Sequence, residues 1–187
     1  MILIFSAPSG SGKSTMVNHL LTAFPNMFEL SISATTRPPR GEEVNGREYY
    51  FMSVAEFEQL VREDAFVEHE QVYEGLYYGT LKHEIYRIEQ AGHHVLFDVD
   101  VKGGINLKRI FGDRALSLFI APPSIEELDR RLHGRGDTGE DMIQKRLAKA
   151  QIEMKDACHF DQIVVNDHLD KAFHTLDEAV RNFLHIK

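Results

Sequence analysis

The stretch that decides the fold reads Ile2-Leu3-Ile4-Phe5-Ser6-Ala7-Pro8-Ser9-Gly10-Ser11-Gly12-Lys13-Ser14-Thr15. An apolar run comes first, a loop rich in glycine and serine follows, and a helical pattern begins with Lys-Ser-Thr. Glycines allow the backbone to approach an anion closely, and the amide groups at a helix N-terminus point towards it. The stretch therefore predicts a phosphate-binding loop between a buried strand and a helix.

Two side chains of this loop suit the binding of a nucleoside triphosphate together with Mg²⁺. Lys13 can reach the outer phosphates, and the hydroxyl of Ser14 can ligate the cation. Ala7 stands where the strict motif has glycine, and a glycine-rich turn without a ligand is the alternative interpretation. The strand–loop–helix context favours the phosphate loop. The expected nucleotide-binding residues are Ala7, Pro8, Ser9, Gly10, Ser11, Gly12, Lys13, Ser14 and Thr15.

The composition is that of one globular domain, with 187 residues of which 43% are hydrophobic and 27% charged. The net charge of −8 argues against general nucleic-acid binding, so residues that bind anions must be concentrated locally. The only cysteine, Cys158, excludes an intrachain disulfide and favours a reducing compartment. The first apolar run is too short for a membrane span, and no Cys/His cluster suggests zinc. We expect a cytoplasmic protein that binds neither nucleic acid nor membrane.

Five apolar segments alternate with helical patterns along the chain. They predict strands at 1–6, 27–33, 94–99, 115–120 and 162–165, separated or followed by helices, one of which is expected from about residue 104 to 111. Alternation of this kind is typical of a parallel sheet covered on both faces. The predicted fold class is therefore α/β, a P-loop NTPase with a five-stranded parallel sheet and helices on both faces.

Two regions interrupt this rhythm. A β-rich insert carries a capping box at Ser53 and a hairpin over 66–73 and 76–79, after which Thr80 is expected to cap a helix. A second region, rich in arginine and glycine, separates a helix that also opens on a capping box, at Ser124, from a long helix over 140–157. We expect a core of 1–32, 81–123 and 149–187, a small mixed-β subdomain of 33–80, and a helical lid of 124–148.

The apolar run Val95-Leu96-Phe97-Asp98 ends in an acid, and a second acid, Asp100, follows it. In P-loop enzymes an aspartate in this place lies beside the phosphate loop and orients Mg²⁺ or its waters. Asp98 and Asp100 are two residues apart, so in an extended segment they share one face. The alternative interpretation is that one of them only caps the next helix. We expect Ser14 and Asp98 to hold the metal.

Two arginines lie close together in an otherwise acidic chain, in Arg37-Pro38-Pro39-Arg40, with Tyr49 following soon after. Guanidinium groups bind phosphate through two parallel hydrogen bonds. Solvated surface arginines are the alternative interpretation of this fragment taken alone.

A second group of arginines comprises Arg130, Arg131, Arg135 and Arg146. Arginines near a phosphate loop can stabilise a phosphoryl group during transfer. The alternative is a solvated helix face with ion pairs to Glu126, Glu127 or Glu140, which fits Arg130 better than the others. Together with Lys13, we expect Arg131, Arg135 and Arg146 to be catalytic.

Further segments give the chain a resemblance to the guanylate kinase family of nucleoside monophosphate kinases, and they follow the family order over nearly the whole length. Besides the phosphate loop they are Ser33-Ala34-Thr35-Thr36-Arg37-Pro38-Pro39-Arg40-Gly41-Glu42, Val44-Asn45-Gly46-Arg47-Glu48-Tyr49, Phe66-Val67-Glu68-His69, Tyr77-Tyr78-Gly79-Thr80, Asp98-Val99-Asp100, Leu132-His133-Gly134-Arg135-Gly136 and Val164-Val165-Asn166-Asp167.

The resemblance implies the reaction ATP + GMP ⇌ ADP + GDP with Mg²⁺, carried out by a core, a GMP-binding subdomain and a lid. It implies that the GMP phosphate meets Arg37, Arg40, Tyr49 and Tyr78, and that guanine meets Ser33, Glu68, Thr80 and Asp100, with Gly79 in the same site. It also implies that Asn166 lies near the adenine of ATP.

The chain departs from the family pattern in three places. Ala7 replaces the first glycine of the loop, Lys102 stands where glutamine is usual, and the stretch 70–76 is one residue longer than usual. Two alternatives stay open, a non-catalytic interaction module of the same family and a P-loop kinase with another acceptor. The lysine of the loop and the lid arginines argue against the first, and Glu68 with Ser33 and Thr80 argues against the second. The sequence does not decide between a monomer and a homodimer.

Overall fold

The computed structural model describes residues 1–134 and 139–186. The described strands are β1 (Ile2–Ser6), β2 (Phe28–Leu30), β3 (Ala34–Thr35), β4 (Tyr50–Phe51), β5 (Phe66–Tyr73), β6 (Leu76–Leu81), β7 (His94–Asp98), β8 (Ala115–Ala121) and β9 (Gln162–Val165). The described α-helices are α1 (Lys13–Ala23), α2 (Val54–Arg62), α3 (Lys82–Gln90), α4 (Val101–Phe111), α5 (Ile125–Gly134), α6 (Glu140–Glu153) and α7 (Leu169–Leu184). Short 3₁₀ turns occupy Gly112–Arg114 and Lys155–His159.

The main sheet has five strands in the order β2-β7-β1-β8-β9. Strand β1 pairs in parallel with β8, and β8 pairs in parallel with β9. All five residues of β1 are buried, as expected of a strand covered on both faces. The predicted five-stranded parallel sheet is confirmed.

Helices cover both faces of this sheet, and the side chains of β8 show it by alternation. Leu118 and Ile120 belong to a buried cluster with residues of α1 and α7, whereas Phe119 and Ala121 pack on the other face with Val101 of α4. Burying one such large side chain stabilises the fold by roughly 1.5–3 kcal/mol. The sheet therefore holds the C-terminal ends of its strands, and the loops that follow them, on a rigid support.

Contacts between residues divide the chain into two compact units. The first unit comprises Met1–Phe28 and Leu96–Lys187, and the second comprises Glu29–Val95. In the first unit α5 and α6 pack through a cluster of Leu128, Leu132, Ile143, Leu147 and Ala150. The finer division into core, subdomain 33–80 and lid 124–148 stays a prediction. In the described part of the chain, no helix is both long enough and apolar enough to cross a bilayer.

The second unit contains a four-stranded mixed sheet in the order β4-β3-β6-β5. Strands β5 and β6 form an antiparallel hairpin, while β3 pairs in parallel with β4. Phe57 of α2 packs against Ala34 and Phe66 in the core beneath this sheet. Ser53 caps α2 through the predicted capping box, because its hydroxyl accepts from the Glu56 amide and the Glu56 carboxylate accepts from the Ser53 amide.

Three predicted helix boundaries were wrong. Leu81 is the N-cap of α3, because Thr80 is part of β6 and its hydroxyl donates to Glu68. Helix α4 begins at Val101 and not at about residue 104, because the Asp100 carboxylate accepts from the Gly103 amide and caps it. The long helix expected over 140–157 ends at Glu153 and gives way to the 3₁₀ turn.

Candidate active site

The phosphate loop joins β1 to α1 in the first unit. Gly10 and Gly12 have φ angles of 96° and 94°, in the left-handed region that favours glycine. Gly12 is the N-cap of α1. Because glycine has no side chain, no side-chain cap occupies the amide groups of the first turn. This arrangement provides the anion-binding geometry that the sequence predicts.

Asn166 holds the phosphate loop through a hydrogen bond to its backbone. Its side-chain amide donates to the Ser11 carbonyl at 2.8 Å, and its backbone amide donates to the Ala121 carbonyl at the end of β8. The residue is only 5% exposed. A Cβ atom at Gly12 would collide with the Asn166 amide, so this glycine is required by space as well as by its φ angle. Asn166, predicted to lie near adenine, thus has its amide group engaged under the phosphate loop.

Lys13 contacts the C-terminal end of β7. Its Nζ atom lies 2.5 Å from Asp98 Oδ1 and donates to the Val99 carbonyl at 2.8 Å. The hydroxyl of Ser6 donates to the Asp100 carbonyl at 3.0 Å. The end of β7 and the phosphate loop are therefore adjacent, as the sequence predicts. Asp100 also caps α4, so the alternative interpretation of this aspartate describes one of its contacts correctly.

A cleft of about 370 Å³ lies over the loop. Four charged residues from outside the loop line it, Asp100 from the start of α4 and Arg146, Lys149 and Glu153 from α6. Sequence analysis missed the last two, although their spacing from Arg146 by three and seven residues places all three on one face of a helix. Lys149 Nζ lies 3.2 Å from Glu153 Oε1. Burial raises the pKa of the Glu153 carboxyl.

The arginines of α5 differ in their partners. Arg130 is 79% exposed along its side chain and pairs with Glu127 at 2.8 Å, as the helix spacing predicts. Arg131 also binds Glu127, and its Nη2 donates to the Asn166 carbonyl at 2.9 Å. Hydrogen bonds from Arg130 and then from Arg131 lower the pKa of Glu127 to about 2. Arg135 lies outside the described residues.

Oxygen donors near the loop fit Mg²⁺. Ser14 and Asp100 line the cleft, and Asp98 lies against Lys13 beside it. Among the described residues, no three or more His, Cys, Asp and Glu side chains are grouped to hold a metal. Magnesium usually takes only one or two carboxylates and completes its shell with water and substrate phosphates. The donor set therefore suits a cation that arrives with a nucleotide.

Arg37 of the second unit contacts both an acid and an aromatic ring. It is 9% exposed, donates to both carboxylate oxygens of Glu43 at 2.6 and 2.7 Å, and lies 4.7 Å from the centre of the Tyr49 ring. Glu43, which sequence analysis missed, raises the pKa of Arg37, with a smaller contribution from a hydrogen bond to Tyr78. Arg37 in turn lowers the pKa of Glu43 to about 2. Arg37, Tyr49 and Tyr78 are thus brought together, while the Arg40 side chain is exposed.

Glu68 and Thr80 face each other across the hairpin. The Thr80 hydroxyl donates to Glu68 Oε1 at 2.9 Å, and the two residues are paired in the register of β5 and β6. A Cβ atom at Gly79 would lie within 3.0 Å of Phe66, Glu68 and His69, so glycine permits this close approach. The longer stretch 70–76 includes a register irregularity between Gln71 and Tyr73. Thr80 therefore stays opposite Glu68.

Comparisons with known proteins point to one family. The family model described as guanylate kinase matches residues 1–183. The guanylate kinase of Bacteroides fragilis is 50% identical over 185 residues, which cover 99% of this chain and 90% of that protein. The guanylate kinase of Porphyromonas gingivalis is 49% identical, with 98% and 97% covered.

A solved structure gives the same result. The crystal structure of guanylate kinase from Anaplasma phagocytophilum matches with a TM-score of 0.69 and 28% identity, covering 99% of this chain and 84% of that one. From the loop, the two units and these matches, we conclude that the chain belongs to the guanylate kinase family.

Proposed function

We propose that this protein transfers a phosphoryl group from ATP to GMP in the presence of Mg²⁺, giving ADP and GDP. The observation that carries the proposal is the complete phosphate loop, with left-handed Gly10 and Gly12 and with Lys13, in a member of this family. The single cysteine, Cys158, suits the cytoplasm as the place where the reaction occurs.

The first unit binds the donor in this proposal. Backbone amides of residues 10–15 hold the ATP phosphates, and Lys13 exchanges its contact with Asp98 for phosphate oxygens. Ser14 and Asp98 are the residues that would hold Mg²⁺, which neutralises charge on the phosphate oxygens and orients them. Arg131, Arg135 and Arg146 stabilise the charge that develops on the transferring group. Asn166 keeps the loop in its binding conformation, and its contact with adenine stays a prediction.

The second unit binds the acceptor phosphate in this proposal. Arg37, Arg40, Tyr49 and Tyr78 are the residues that would hold it. Both Nη atoms of Arg37 donate to Glu43, so in this proposal the guanidinium exchanges that carboxylate for phosphate oxygens when GMP binds. Arginine is suited to this role because its planar fork matches two phosphate oxygens.

The acceptor base is recognised by hydrogen bonding. Guanine presents its N1–H and its 2-amino group as adjacent donors, and the carboxylate of Glu68 can accept from both. Gly79 pairs with Ala34, the residue after Ser33, and Thr80 pairs with Glu68, whereas Asp100 stays a predicted guanine contact. Adenine has a bare N1 and no 2-amino group, so AMP would not supply the two hydrogen bonds that guanine gives to the carboxylate, and this loss costs free energy. Sites of this kind can reject the analogue by about 10⁴-fold.

The test is ADP release measured with GMP, AMP, CMP and UMP as acceptors. We expect turnover with GMP alone and a large fall in the GMP-to-AMP ratio of kcat/KM in Glu68→Gln, which keeps size but replaces an acceptor with a donor. An equal ratio in wild type and Glu68→Gln would show that guanine is recognised elsewhere. Turnover of another nucleotide would favour a kinase with a different acceptor, and no turnover at all would favour an interaction module.

A further inference from the structure

A carboxylate with no exposed surface lies at the start of α3 in the second unit. Glu84 is 0% exposed and accepts four hydrogen bonds, from the Ile32 amide at 3.1 Å, the Tyr50 hydroxyl at 2.9 Å, and Arg87 Nε and Nη2 at 3.1 and 2.8 Å. Burial by itself raises the pKa of Glu84, but these donors outweigh it and hold the pKa below its ordinary value. The carboxylate is therefore ionised and bonded at neutral pH.

Two of the four donors belong to segments that carry proposed GMP-binding residues. Ile32 directly precedes Ser33, which is assigned to the base, and Tyr50 directly follows Tyr49, which is assigned to the phosphate. The Tyr50 amide also donates to the Ser33 carbonyl at 2.9 Å. One carboxylate on α3 thus fixes the backbone of one segment and a side chain of the other, and the two segments are joined directly as well.

The remaining partner, Arg87, is held by a second acid. Arg87 Nη1 lies 2.5 Å from Glu29 Oε1, and Glu29 Oε2 lies 3.0 Å from His93 Nδ1. The hydrogen bonds that the described structure gives to the Glu29 side chain go to Arg87 and His93, and neither Ile32 nor Tyr50 is among them. Glu29 and Glu84 therefore both bind Arg87. Glu84 also accepts hydrogen bonds from the segments that contain Ser33 and Tyr49, and the bonds given for Glu29 do not include them.

We propose that Glu84 is a positioning residue for the acceptor nucleotide, acting through Ile32 and Tyr50 on Ser33 and Tyr49. The inference rests on the proposed function, because that function assigns Ser33 and Tyr49 to GMP. Removing one partner from a buried, charged hydrogen-bond network leaves donors unpaired, and the segments that carry them shift to find others. A shift of this kind weakens GMP binding while leaving the phosphate loop of the first unit intact.

The experiment compares Glu84→Gln and Tyr50→Phe with the matched control Glu29→Gln. Glu84→Gln keeps the size of the side chain, and Tyr50→Phe removes only the hydroxyl that reaches Glu84. For each protein, Kd for GMP is measured by calorimetry, together with kcat, KM for GMP, KM for ATP and Tm. We expect Kd and KM for GMP to rise at least about fivefold in Glu84→Gln, with KM for ATP within about twofold of wild type.

Glu29→Gln separates positioning from stability. It loosens the same arginine and should lower Tm, yet its Kd for GMP should stay within about twofold of the wild-type value. An unchanged Kd in Glu84→Gln, or an equal rise in Glu29→Gln, would overturn the proposal. If Glu84→Gln does not fold, Tyr50→Phe decides by the same criterion. A wild-type protein that fails to bind GMP would instead refute the proposed function, which distinguishes the two failures.

Discussion

The phosphate loop of the first unit and the proposed acceptor site of the second unit are built in different ways. The loop presents backbone amides from one contiguous stretch, and its shape depends on Gly10 and Gly12 in left-handed conformations. The acceptor site presents side chains from β5, β6 and the segments on either side of β3, and hydrogen-bond networks around Glu43 and Glu84 hold them. Backbone recognition suits a phosphate chain, whereas recognition of a base requires side chains at defined places.

In each region, the cation proposed to bind phosphate forms an ion pair with a carboxylate. Lys13 lies against Asp98, and Arg37 makes two parallel hydrogen bonds with Glu43. Lysine has a flexible stem and can follow charge that moves, whereas the planar fork of arginine is suited to a fixed phosphate. This difference supports the proposal that the first region carries out the chemistry and the second binds the acceptor.

The largest effect is expected from Lys13→Ala. Since this variant removes the cation placed to follow charge on the transferring phosphate, kcat should fall by roughly 10³-fold. Tm should change little, because the ion pair of Lys13 with Asp98 is partly exposed and such pairs stabilise a fold by only about 0–1 kcal/mol. Lys145→Ala, which removes an exposed lysine of α6, provides the control and should retain wild-type turnover. Near wild-type activity in Lys13→Ala would contradict the role of the phosphate loop in phosphoryl transfer.

A smaller loss is expected from Arg146→Ala, and Arg130→Ala is its matched control. Arg146 lines the cleft over the loop, whereas Arg130 is exposed and paired with Glu127. We expect kcat to fall by at least about 10²-fold in Arg146→Ala and to change less than about twofold in Arg130→Ala. A change confined to KM for GMP in Arg146→Ala would assign this arginine to acceptor binding instead.

The smallest effect concerns stability at acid pH. Arg37 lowers the pKa of Glu43 to about 2 in the folded protein, whereas an unfolded glutamate has a pKa of about 4.3. This pair therefore stabilises the fold fully above pH 4.3, and the contribution is lost as the pH falls towards 2. In Glu43→Gln, Tm between pH 5 and 2 should depend less steeply on pH than in wild type. Glu42→Gln is the control, and a slope equal to wild type in Glu43→Gln would refute the pairing.

Most of the fold could be predicted because its signals are local. Continuous apolar runs mark β1, β7 and β8, and the predicted bounds of β9 agree with the structure. One of the three boundary errors lies where a side chain makes a contact across a hairpin. Thr80 was expected to cap α3, but it pairs with Glu68 across the hairpin, and hydrophobic patterns contain no information on that competition.

The same distinction applies to the candidate site. The loop was predicted from one stretch, because its motif specifies glycines, lysine and serine at fixed spacing. The support of Asn166 under Ser11 could not be predicted, since 155 residues separate the two partners. Glu84 carries no motif and looks like any charged residue of an amphipathic helix, and only tertiary packing buries it. Lys149 and Glu153 could have been found by their helical spacing from Arg146.

Crossed binding measurements test the division between the two regions most directly. Kd for ATP and Kd for GMP are measured by calorimetry on Lys13→Ala and Arg37→Ala, with Arg40→Ala as an exposed alternative should Arg37→Ala not fold. We predict that Lys13→Ala weakens ATP binding about tenfold and leaves Kd for GMP within about twofold. Arg37→Ala should do the reverse. If both variants weakened both nucleotides equally, the assignment of donor and acceptor to separate regions would be wrong.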